Sequence, residues 1–369
     1  MAVRCPLESL AMTTFGGCYQ GRRVVITGHT GFKGSWLALW LRTLGAHVVG
    51  VGLPPATSPA HWNLLGLDVR DHLIDIRDDQ RLREVLLQEQ PEIVFHLAAQ
   101  SLVRRSYRDP LETWHTNVMG TANLLQACRE VSGLKAIVVV SSDKCYENRE
   151  WDWGYREIDA LGGHDPYSAS KGATELVAAS FRQSFFSSDN AACIASARAG
   201  NVIGGGDWSD DRLIPDLVRA ISTGDELIIR SPLASRPWQH VLDALSGYLR
   251  LGQCLILNGQ RFAQAWNFGP DAGGDCTVEQ MLRSLKRHWS ELRWATSGQP
   301  EPRETQRLFL DSAKARAHLA WRTPWSLEES IAATAHWYRV FLRQGQVSSR
   351  EQLSQYVRAA HEQGCEWAT

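Results

Sequence analysis

The sequence predicts an α/β fold: a doubly wound parallel sheet with a smaller, discontinuous C-terminal lobe. Short apolar strand patterns alternate with amphipathic helical patterns over residues 22–200, which is the order that a parallel sheet requires. A glycine-rich turn at residues 27–34 joins the first strand to the first helix, and a second glycine-rich stretch at 200–208 ends the alternation. A chain of 369 residues is long enough for one or two domains with a large core.

The composition argues against several classes of protein. The net charge is -1 and no basic run stands out, so no nucleic-acid partner is expected. No stretch approaches the roughly 18 consecutive apolar residues of a membrane span, and the N-terminal residues around Arg4 lack the apolar core of a signal peptide. The eight cysteines are scattered without metal-ligand spacing, so we expect reduced thiols, a cytoplasmic protein and no metal site.

The first strand, turn and helix carry the clearest local pattern. Val24 to Ile26 predict a strand, and a helix is predicted over residues 35–44. Between them the turn reads T-G-H-T-G-F-K-G, where glycines permit a tight turn and the helix N-terminus offers free N–H groups to a pyrophosphate. A plain glycine turn is the weaker alternative to this Rossmann-type dinucleotide site. The loop residues expected to bind the cofactor are Gly28, Thr30, Gly31, Phe32, Lys33 and Gly34.

The next two strands leave the choice between NAD and NADP open. The second strand, over 47–53, ends in G-L-P-P without the acid or the arginine that usually distinguishes the two cofactors. After a short third strand, Asp75 and Ile76 are candidates for contact with the adenine; alternatively, Asp75 caps a helix over 78–90. The fourth strand, over 92–95, is followed by small residues that let a cofactor lie against its carboxyl end. The expected cofactor contacts there are Leu97, Ala98, Ala99 and Gln100.

A long helix predicted over 110–131 contains Thr116 and Asn117, which either orient the cofactor or satisfy a distortion of the helix. A fifth strand over 136–140 ends at S-S-D-K, and a further helix runs from about Pro166 to about Phe186. Tyr167 and Lys171 lie four residues apart in it and so share one face. An ammonium beside a phenol favours the phenolate, so we expect a lowered pKa for Tyr167 that suits base catalysis.

The second half of the chain is less regular. After a sixth strand over 191–197, a helix begins near Arg212, a short strand covers 226–230, and residues 236–241 precede a helix that returns to the first domain. We therefore predict a first domain of residues 15–200 with about 236–268. The smaller lobe is predicted to comprise 201–235 and about 269–343, and residues 344–369 a C-terminal helix or tail.

These motifs resemble the extended short-chain dehydrogenase/reductase family and, within it, the CDP-glucose 4,6-dehydratases. The glycine turn and the Tyr/Lys pair mark only the family, whereas the Ser-Asp-Lys triplet with the later blocks marks the branch. The resemblance covers nearly the whole chain from about Phe15. It is carried by T-G-H-T-G-F-K-G-S-W-L at 27–37, S-D-K-C-Y at 142–146, G-N-V-I-G-G-G-D-W at 200–208, R-L-I-P-D at 212–216, R-P-W-Q-H-V at 236–241 and W-N-F-G-P at 266–270.

The resemblance implies an NAD-dependent lyase that converts CDP-glucose into CDP-4-keto-6-deoxyglucose for deoxysugar and O-antigen polysaccharide biosynthesis. It implies that Tyr167, assisted by Ser142 and Lys171, removes the proton of the 4-hydroxyl, and that Asp143 protonates the departing 6-hydroxyl. Lys144 stands where better-known nucleotide-sugar dehydratases have Glu, and either removes the carbon-5 proton or stabilises an enolate. The smaller lobe is then expected to bind the nucleotide sugar. The implied substrate contacts are Ser101, Asn201, Arg212, Leu213 and Arg236.

Other readings stay open on the sequence. A related nucleotide-sugar epimerase, or a dehydratase for another nucleotide sugar, would share most of these motifs; Asp143 and Lys144 argue against the epimerase. A non-catalytic NAD-binding protein would not need Tyr167 and Lys171, which are both present. Two roles are open for Trp151 and Trp153: they line the site of the hexose or the cytosine, or they pack within their own loop. The family implies a homo-oligomer, formed through helices at 110–131 and 166–186.

Overall fold

A parallel sheet forms the centre of the protein, as the sequence predicts, and it has seven strands. The computed structural model describes residues 14–270, 275–297 and 307–369, so Arg4 and its surroundings lie outside the described residues. The strand order reverses beside the first strand, which is where open α/β sheets bind ligands. From one edge to the other the strands are β3 (Arg70–Leu73), β2 (His47–Gly52), β1 (Arg23–Thr27), β4 (Ile93–His96), β5 (Ala136–Val140), β6 (Cys193–Ala199) and β11 (Ala265–Phe268).

Helices cover both faces of this sheet. Val24 and Ile26 belong to one buried cluster and Val25 to another, so the residues of β1 alternate between two packed faces. The helices are α1 (Phe32–Thr43), α2 (His61–Leu65), α3 (Asp79–Glu89), α4 (Val103–Arg108), α5 (Pro110–Trp114), α6 (Gly120–Cys128), α7 (Pro166–Phe185), α8 (Leu213–Thr223), α9 (Val241–Asn258), α10 (Val278–His288), α11 (Ala313–Leu319), α12 (Leu327–Gln344) and α13 (Ser349–Glu362).

Two helices differ from the sequence prediction. The first begins three residues earlier than expected, because Gly31 with extended backbone serves as its N-cap. The helix predicted over 110–131 is interrupted by a π-helical turn, His115–Met119, and ends at Cys128. Asn117 lies within this turn, so the distortion that was one of two explanations for the polar residues is present.

Short strand pairs build the region after β6. β7 (Val202–Ile203) pairs in parallel with β10 (Gln239–His240), and β8 (Leu227–Ile229) with β13 (Trp294–Thr296). β9 (Ser235–Pro237) pairs antiparallel with β12 (Asp275–Thr277). α9 follows β10 directly, and the chain after it forms β11, which pairs with β6 at the edge of the sheet.

The C-terminal residues pack against the core. The indole of Trp367 stacks on Phe15 with ring centroids 5.3 Å apart and on Tyr356 of α13 at 5.9 Å. One buried cluster includes these side chains together with Trp40 of α1 and Trp337 of α12. Because this cluster crosses the predicted boundaries, the division into two domains stays a prediction. None of the helices in the described ranges has the length and apolar content that a membrane crossing requires.

Candidate active site

The glycine-rich turn forms a cradle between β1 and α1. Gly28 has a φ of 74°, and a Cβ there would lie 2.7 Å from the backbone nitrogen of Ala98. A Cβ on Gly34 would lie 2.1 Å from the carbonyl oxygen of Gly28. Within the described residues no side chain caps α1 at Gly31, so the first N–H groups of this helix are available to an anion. The cradle fits the pyrophosphate of a dinucleotide.

The remaining loop side chains point to different neighbours. The Thr30 hydroxyl donates to the carbonyl of Leu53 at 2.9 Å. Phe32 is half-buried, and its ring lies against Gly204 of the second glycine-rich stretch. The Lys33 ammonium donates to the Tyr248 hydroxyl on α9 at 3.2 Å. The sequence does not predict this last contact, because the two residues lie 215 positions apart.

The end of β2 lacks an acid, but Asp71 on the neighbouring strand β3 lies beside the glycine-rich turn. Its carboxylate lies 3.6 Å from the Nε2 atom of the fully buried His29. The imidazole covers Gly50 of β2, where a Cβ would lie 2.4 Å from the ring. A search confined to the end of β2 misses this acid, because Asp71 lies one strand further along the chain.

The residues proposed for the adenine have other partners. The carboxylate of Asp75 accepts hydrogen bonds from the Arg77 guanidinium at 2.6 to 3.0 Å, and these lower the pKa of Asp75. The alternative that Asp75 caps α3 is wrong, since the cap is Asp78, which accepts from the backbone of Arg81. Ile76 is buried and packs against Gly120. Contact of Asp75 and Ile76 with a cofactor stays a prediction.

The segment after β4 is fixed by the π-helical turn. Asn117 accepts from the backbone N–H of Gln100 at 2.8 Å and donates to its carbonyl oxygen at 3.0 Å. Asn117 also donates to the Ser170 hydroxyl on α7 at 2.8 Å. The side chain of Gln100 is bonded to Leu102 and Thr113. Half-buried side chains at the same edge of the sheet are Leu97, Ala98, Ala99 and Thr116.

Ser142 and Asp143 follow β5 and lie together at the sheet edge. The Ser142 hydroxyl donates to the Asp143 carboxylate at 2.9 Å and accepts from the backbone N–H of Lys144 at 3.2 Å. Burial raises the pKa of Asp143, and the charges of Lys144, Arg236 and Lys33 partly oppose this. A Cβ on Gly200 would lie 3.2 Å from a carboxylate oxygen of Asp143, so the second glycine-rich stretch passes over this acid.

Tyr167 and Lys171 occupy the buried face of α7, whose start is capped by Asp165. Burial raises the pKa of Tyr167 to about 12, opposed by a hydrogen bond with Ser142 and by the charge of Arg212. The expected lowering of this pKa by Lys171 is therefore wrong for the structure, because burial of the phenol dominates and the influences that oppose it come from Ser142 and Arg212. Burial lowers the pKa of Lys171 to about 8, opposed mainly by the charge of Glu175.

The Lys33 ammonium interacts electrostatically with Asp143 and Lys171. Burial lowers the pKa of Lys33 to about 7; the charges of Arg212 and Lys171 act in the same direction, and Asp143 opposes them. A residue of the predicted phosphate loop therefore influences the acid that follows β5, and that acid influences it in turn.

Two arginines approach these residues from the second half of the chain. Arg212, at the start of α8, contacts the Asp207 carboxylate at 3.3 Å and donates to the Ser101 hydroxyl at 3.5 Å. Arg236 on β9 donates to the carbonyl of Ser235 at 2.8 Å. Leu213 is the half-buried first residue of α8. Asn201 lies between β6 and β7, where its carbonyl oxygen accepts from the backbone of Gln239 at 3.2 Å.

Trp151 packs within its loop. Its ring stacks on Tyr155 with centroids 5.4 Å apart and an interplanar angle of 13°. Trp153 contacts Trp151 and is 61% exposed. The loop-packing alternative therefore holds for Trp151.

Comparison with known proteins relates most of the chain to enzymes that act on nucleotide sugars. Residues 24–256 match the NAD dependent epimerase/dehydratase family. The chain is 47% identical over 350 residues to a CDP-glucose 4,6-dehydratase of Salmonella typhimurium, covering 92% of this chain and 98% of that protein. It is 25% identical to a dTDP-glucose 4,6-dehydratase of Xanthomonas campestris, covering 85% of this chain and 92% of the relative.

Solved structures agree in fold. A dTDP-glucose 4,6-dehydratase of Streptomyces venezuelae, with NAD and TYD bound, has a TM-score of 0.71 and 26% identity over 86% of this chain and 97% of its own. A UDP-glucose 4-epimerase of Thermotoga maritima, with UDP-glucose, has a TM-score of 0.75 at 22% identity over 87% of this chain and 100% of its own. The second likeness shows the fold alone.

Proposed function

The chain belongs to the NAD dependent epimerase/dehydratase family, and on this premise we propose that it removes water from CDP-glucose to give CDP-4-keto-6-deoxyglucose. The observation that carries the proposal is 47% identity to a CDP-glucose 4,6-dehydratase over 92% of the chain. The cofactor is NAD. The product is of the kind used in deoxysugar and O-antigen polysaccharide synthesis.

The turn between β1 and α1 supports NAD binding. Gly28 and Gly34 let the turn pack tightly against the backbone of Ala98 and on itself, and the start of α1 offers N–H groups to a pyrophosphate. Further contacts are proposed for Asp75, Ile76, Thr116 and the segment from Leu97 to Gln100. The chemistry that NAD supplies when bound is a hydride acceptor for carbon 4, a hydride donor for carbon 6 and, while oxidised, a positive charge.

Tyr167 is proposed to remove the proton of the sugar 4-hydroxyl. Since burial raises the pKa of Tyr167 to about 12, the phenol depends on the hydrogen bond with Ser142 and on nearby cations to release its proton. Lys171, one helical turn away, is proposed to hold the nicotinamide ribose and to supply one of these cations. The 4-ketone that results acidifies the proton on carbon 5.

Asp143 is proposed to act as the general acid of the elimination. Burial raises its pKa, which favours the protonated carboxyl that must donate to the departing 6-hydroxyl. Lys144, next in the chain and half-buried, is proposed either to take the carbon-5 proton or to stabilise the enolate. An epimerase needs no such acid, so the Asp143–Lys144 pair favours elimination.

The nucleotide diphosphate is proposed to bind where Arg236 and Arg212 approach the sheet edge. A guanidinium can bind phosphate oxygens in bidentate fashion, and the charge of Arg236 already influences Asp143. Ser101, which accepts a hydrogen bond from Arg212, together with Asn201 and Leu213, completes the proposed substrate contacts.

We also propose a cytoplasmic homo-oligomer formed through α5, α6 and α7. Apolar side chains on these helices and the π-helical turn are exposed: Leu111 by 69%, Met119 by 52% and Leu176 by 62%. A second copy would cover this apolar surface. The cysteines of the described residues are free thiols, which suits a reducing compartment.

The test is incubation with CDP-, UDP-, GDP- and dTDP-glucose, each with and without added NAD⁺, followed by mass spectrometry. We expect loss of one water from CDP-glucose alone. Turnover of another nucleotide sugar would keep the reaction and overturn the substrate. A product of unchanged mass with altered stereochemistry would identify an epimerase, and the absence of any product would favour a binding protein.

A further inference from the structure

Glu175 continues the row of functional residues on α7. It follows Lys171 by four residues, as Lys171 follows Tyr167, so all three lie on the same buried face of the helix. Its side chain is 3% exposed. A carboxylate is rarely buried to this degree unless it is paired, and the proposed reaction does not yet use this one.

Three side chains of the sheet hold the Glu175 carboxylate. One oxygen accepts a hydrogen bond from the hydroxyl of Ser141, the residue before Ser142. The other accepts from the Ser196 hydroxyl at 2.6 Å and from the Arg198 guanidinium at 2.8 Å. Arg198 is as buried as Glu175, and it also donates to the Tyr146 hydroxyl at 2.7 Å. The ends of β5 and β6 therefore fix this carboxylate relative to Ser142.

The charge of Glu175 raises the pKa of Lys171. Burial alone would raise the pKa of Glu175, but the charge of Arg198 and the three hydrogen bonds hold it below its ordinary value. Glu175 therefore stays ionised, and among the charges around Lys171 it is the main one that counteracts burial of the ammonium. Cys145 also acts on the pKa of Lys171. Lys171 in turn acts on the pKa of His96 and of Lys33, and Glu175 acts on that of Arg182.

We propose that Glu175, held by Arg198, Ser141 and Ser196 one helical turn from Lys171, is a positioning residue that favours the charged form of the Lys171 ammonium. The inference rests on the proposed function, because the role of Lys171 does. Glu175 itself touches neither the sugar nor the cofactor in this scheme; it acts through Lys171.

The expected signature is the alkaline limit of activity. If Lys171 must be protonated, activity falls as pH rises through the pKa of Lys171, about 8. Glu175→Gln removes the negative charge that favours the ammonium, so this pKa falls further and the alkaline limb moves to lower pH. An opposite charge close to a titrating group shifts its pKa by about 1 to 3 units, so a displacement of at least about 1 pH unit is expected.

The test compares pH profiles of kcat/KM for dehydration in wild type, Glu175→Gln and Glu130→Gln. Glu130 is an exposed carboxylate paired with Arg83, so its variant makes the same chemical change away from the site. Because Glu175→Gln leaves Arg198 buried without its partner, Glu175→Gln/Arg198→Gln is made as well. Circular dichroism checks that each variant folds. Glu175→Asp keeps the charge, so the alkaline fall of its pH profile should lie close to that of wild type.

The result expected is an acid-shifted limb in the folded Glu175→Gln variants and an unchanged limb in Glu130→Gln. A folded Glu175→Gln enzyme with the wild-type limb would overturn the inference. If wild type releases no water at any pH, the proposed function fails instead. The pH dependence of NAD binding, followed by tryptophan fluorescence, then still tests whether Glu175→Gln shifts the midpoint assigned to Lys171.

Discussion

Gly28, at the end of β1, lies so close to Ala98, just after β4, that any side chain at position 28 would collide with the backbone. The Cβ of an alanine would fall 2.7 Å from the nitrogen of Ala98 and 2.8 Å from its Cα. Both residues lie at the point where the strand order reverses, so the close approach forms the floor of the proposed NAD cradle.

Gly28→Ala should therefore abolish NAD binding. Gly133→Ala is the matched control: its φ of 78° imposes the same backbone cost as the 74° of Gly28, but a Cβ there meets nothing within 4 Å. Both variants should lose about 1 kcal/mol of stability to the left-handed backbone, and Gly28→Ala should lose more because of the collision with Ala98. Only Gly28→Ala should lose NAD affinity in a calorimetric titration. Equal affinities in the two variants would contradict the cradle.

The C-terminal residues should behave as part of the core. Trp367 is fully buried against Phe15, Trp40 and Tyr356. Trp367→Ala should lower the free energy of unfolding by about 3 to 5 kcal/mol, whereas Trp153→Ala, at a tryptophan that is 61% exposed, should cost far less. Urea denaturation of both variants measures the difference. Similar losses would mean that residues 344–369 contribute little to the core.

The sequence predicts what depends on local pattern. A few neighbouring residues determine each of three features: the glycine turn, the strand before Ser142 and the spacing of Tyr167 and Lys171. The sheet and the segments at its edge could therefore be predicted. Glu175 was within reach of the same argument, since it repeats the four-residue spacing of Tyr167 and Lys171 on one helix.

Long-range contacts could not be predicted in this way. Tyr248 has no local feature that pairs it with Lys33, because only the packing of α9 brings them to 3.2 Å. The sequence predicts the wrong direction for the pKa of Tyr167, because the neighbours in sequence indicate a cation but do not reveal burial. The π-helical turn at Asn117 likewise depends on contacts with Gln100 and Ser170 from other elements.

Stability should depend on the ionisation of Asp243. This carboxyl is buried in α9, where it accepts from Tyr356 at 2.7 Å, and burial raises its pKa from 3.8 to about 7. Because the pKa of Asp243 is higher in the folded than in the unfolded state, its protonated carboxyl stabilises the fold. This contribution to the free energy of unfolding is fully present below about pH 4 and is lost as pH rises to about 7. The slope of this contribution is at most about 1.4 kcal/mol per pH unit.

Asp243→Asn should remove that contribution to the slope. The difference in unfolding free energy between wild type and variant, followed from pH 4 to 7 by urea denaturation, should change steadily in favour of the variant as pH rises. Subtracting the two curves cancels the titration of every other group, so a constant difference would contradict ionisation of Asp243 in this range.

The proposed homo-oligomer should dissociate when its apolar surface is charged. Leu111→Glu combined with Leu176→Glu puts two carboxylates on the exposed faces of α5 and α7. Sedimentation velocity should show wild type as an oligomer and the double variant as a monomer. Leu257→Glu, at another exposed leucine, on α9, is the control and should leave the oligomer intact. A wild-type monomer, or an unaffected double variant, would contradict the proposed interface.

Asp143→Asn should separate the two halves of the proposed reaction. The amide keeps the size of the buried side chain but cannot donate a proton as a carboxylic acid does, so elimination should fall by about 100- to 10,000-fold. Oxidation at carbon 4, which depends on Tyr167, should persist and appear as reduced cofactor absorbance that accumulates on mixing with CDP-glucose. Asp79→Asn, at an exposed acid in the first turn of α3, serves as the control. Undiminished water loss in Asp143→Asn would contradict the role of general acid, and loss of oxidation as well would indicate that Asp143 is needed to organise Ser142 and Tyr167.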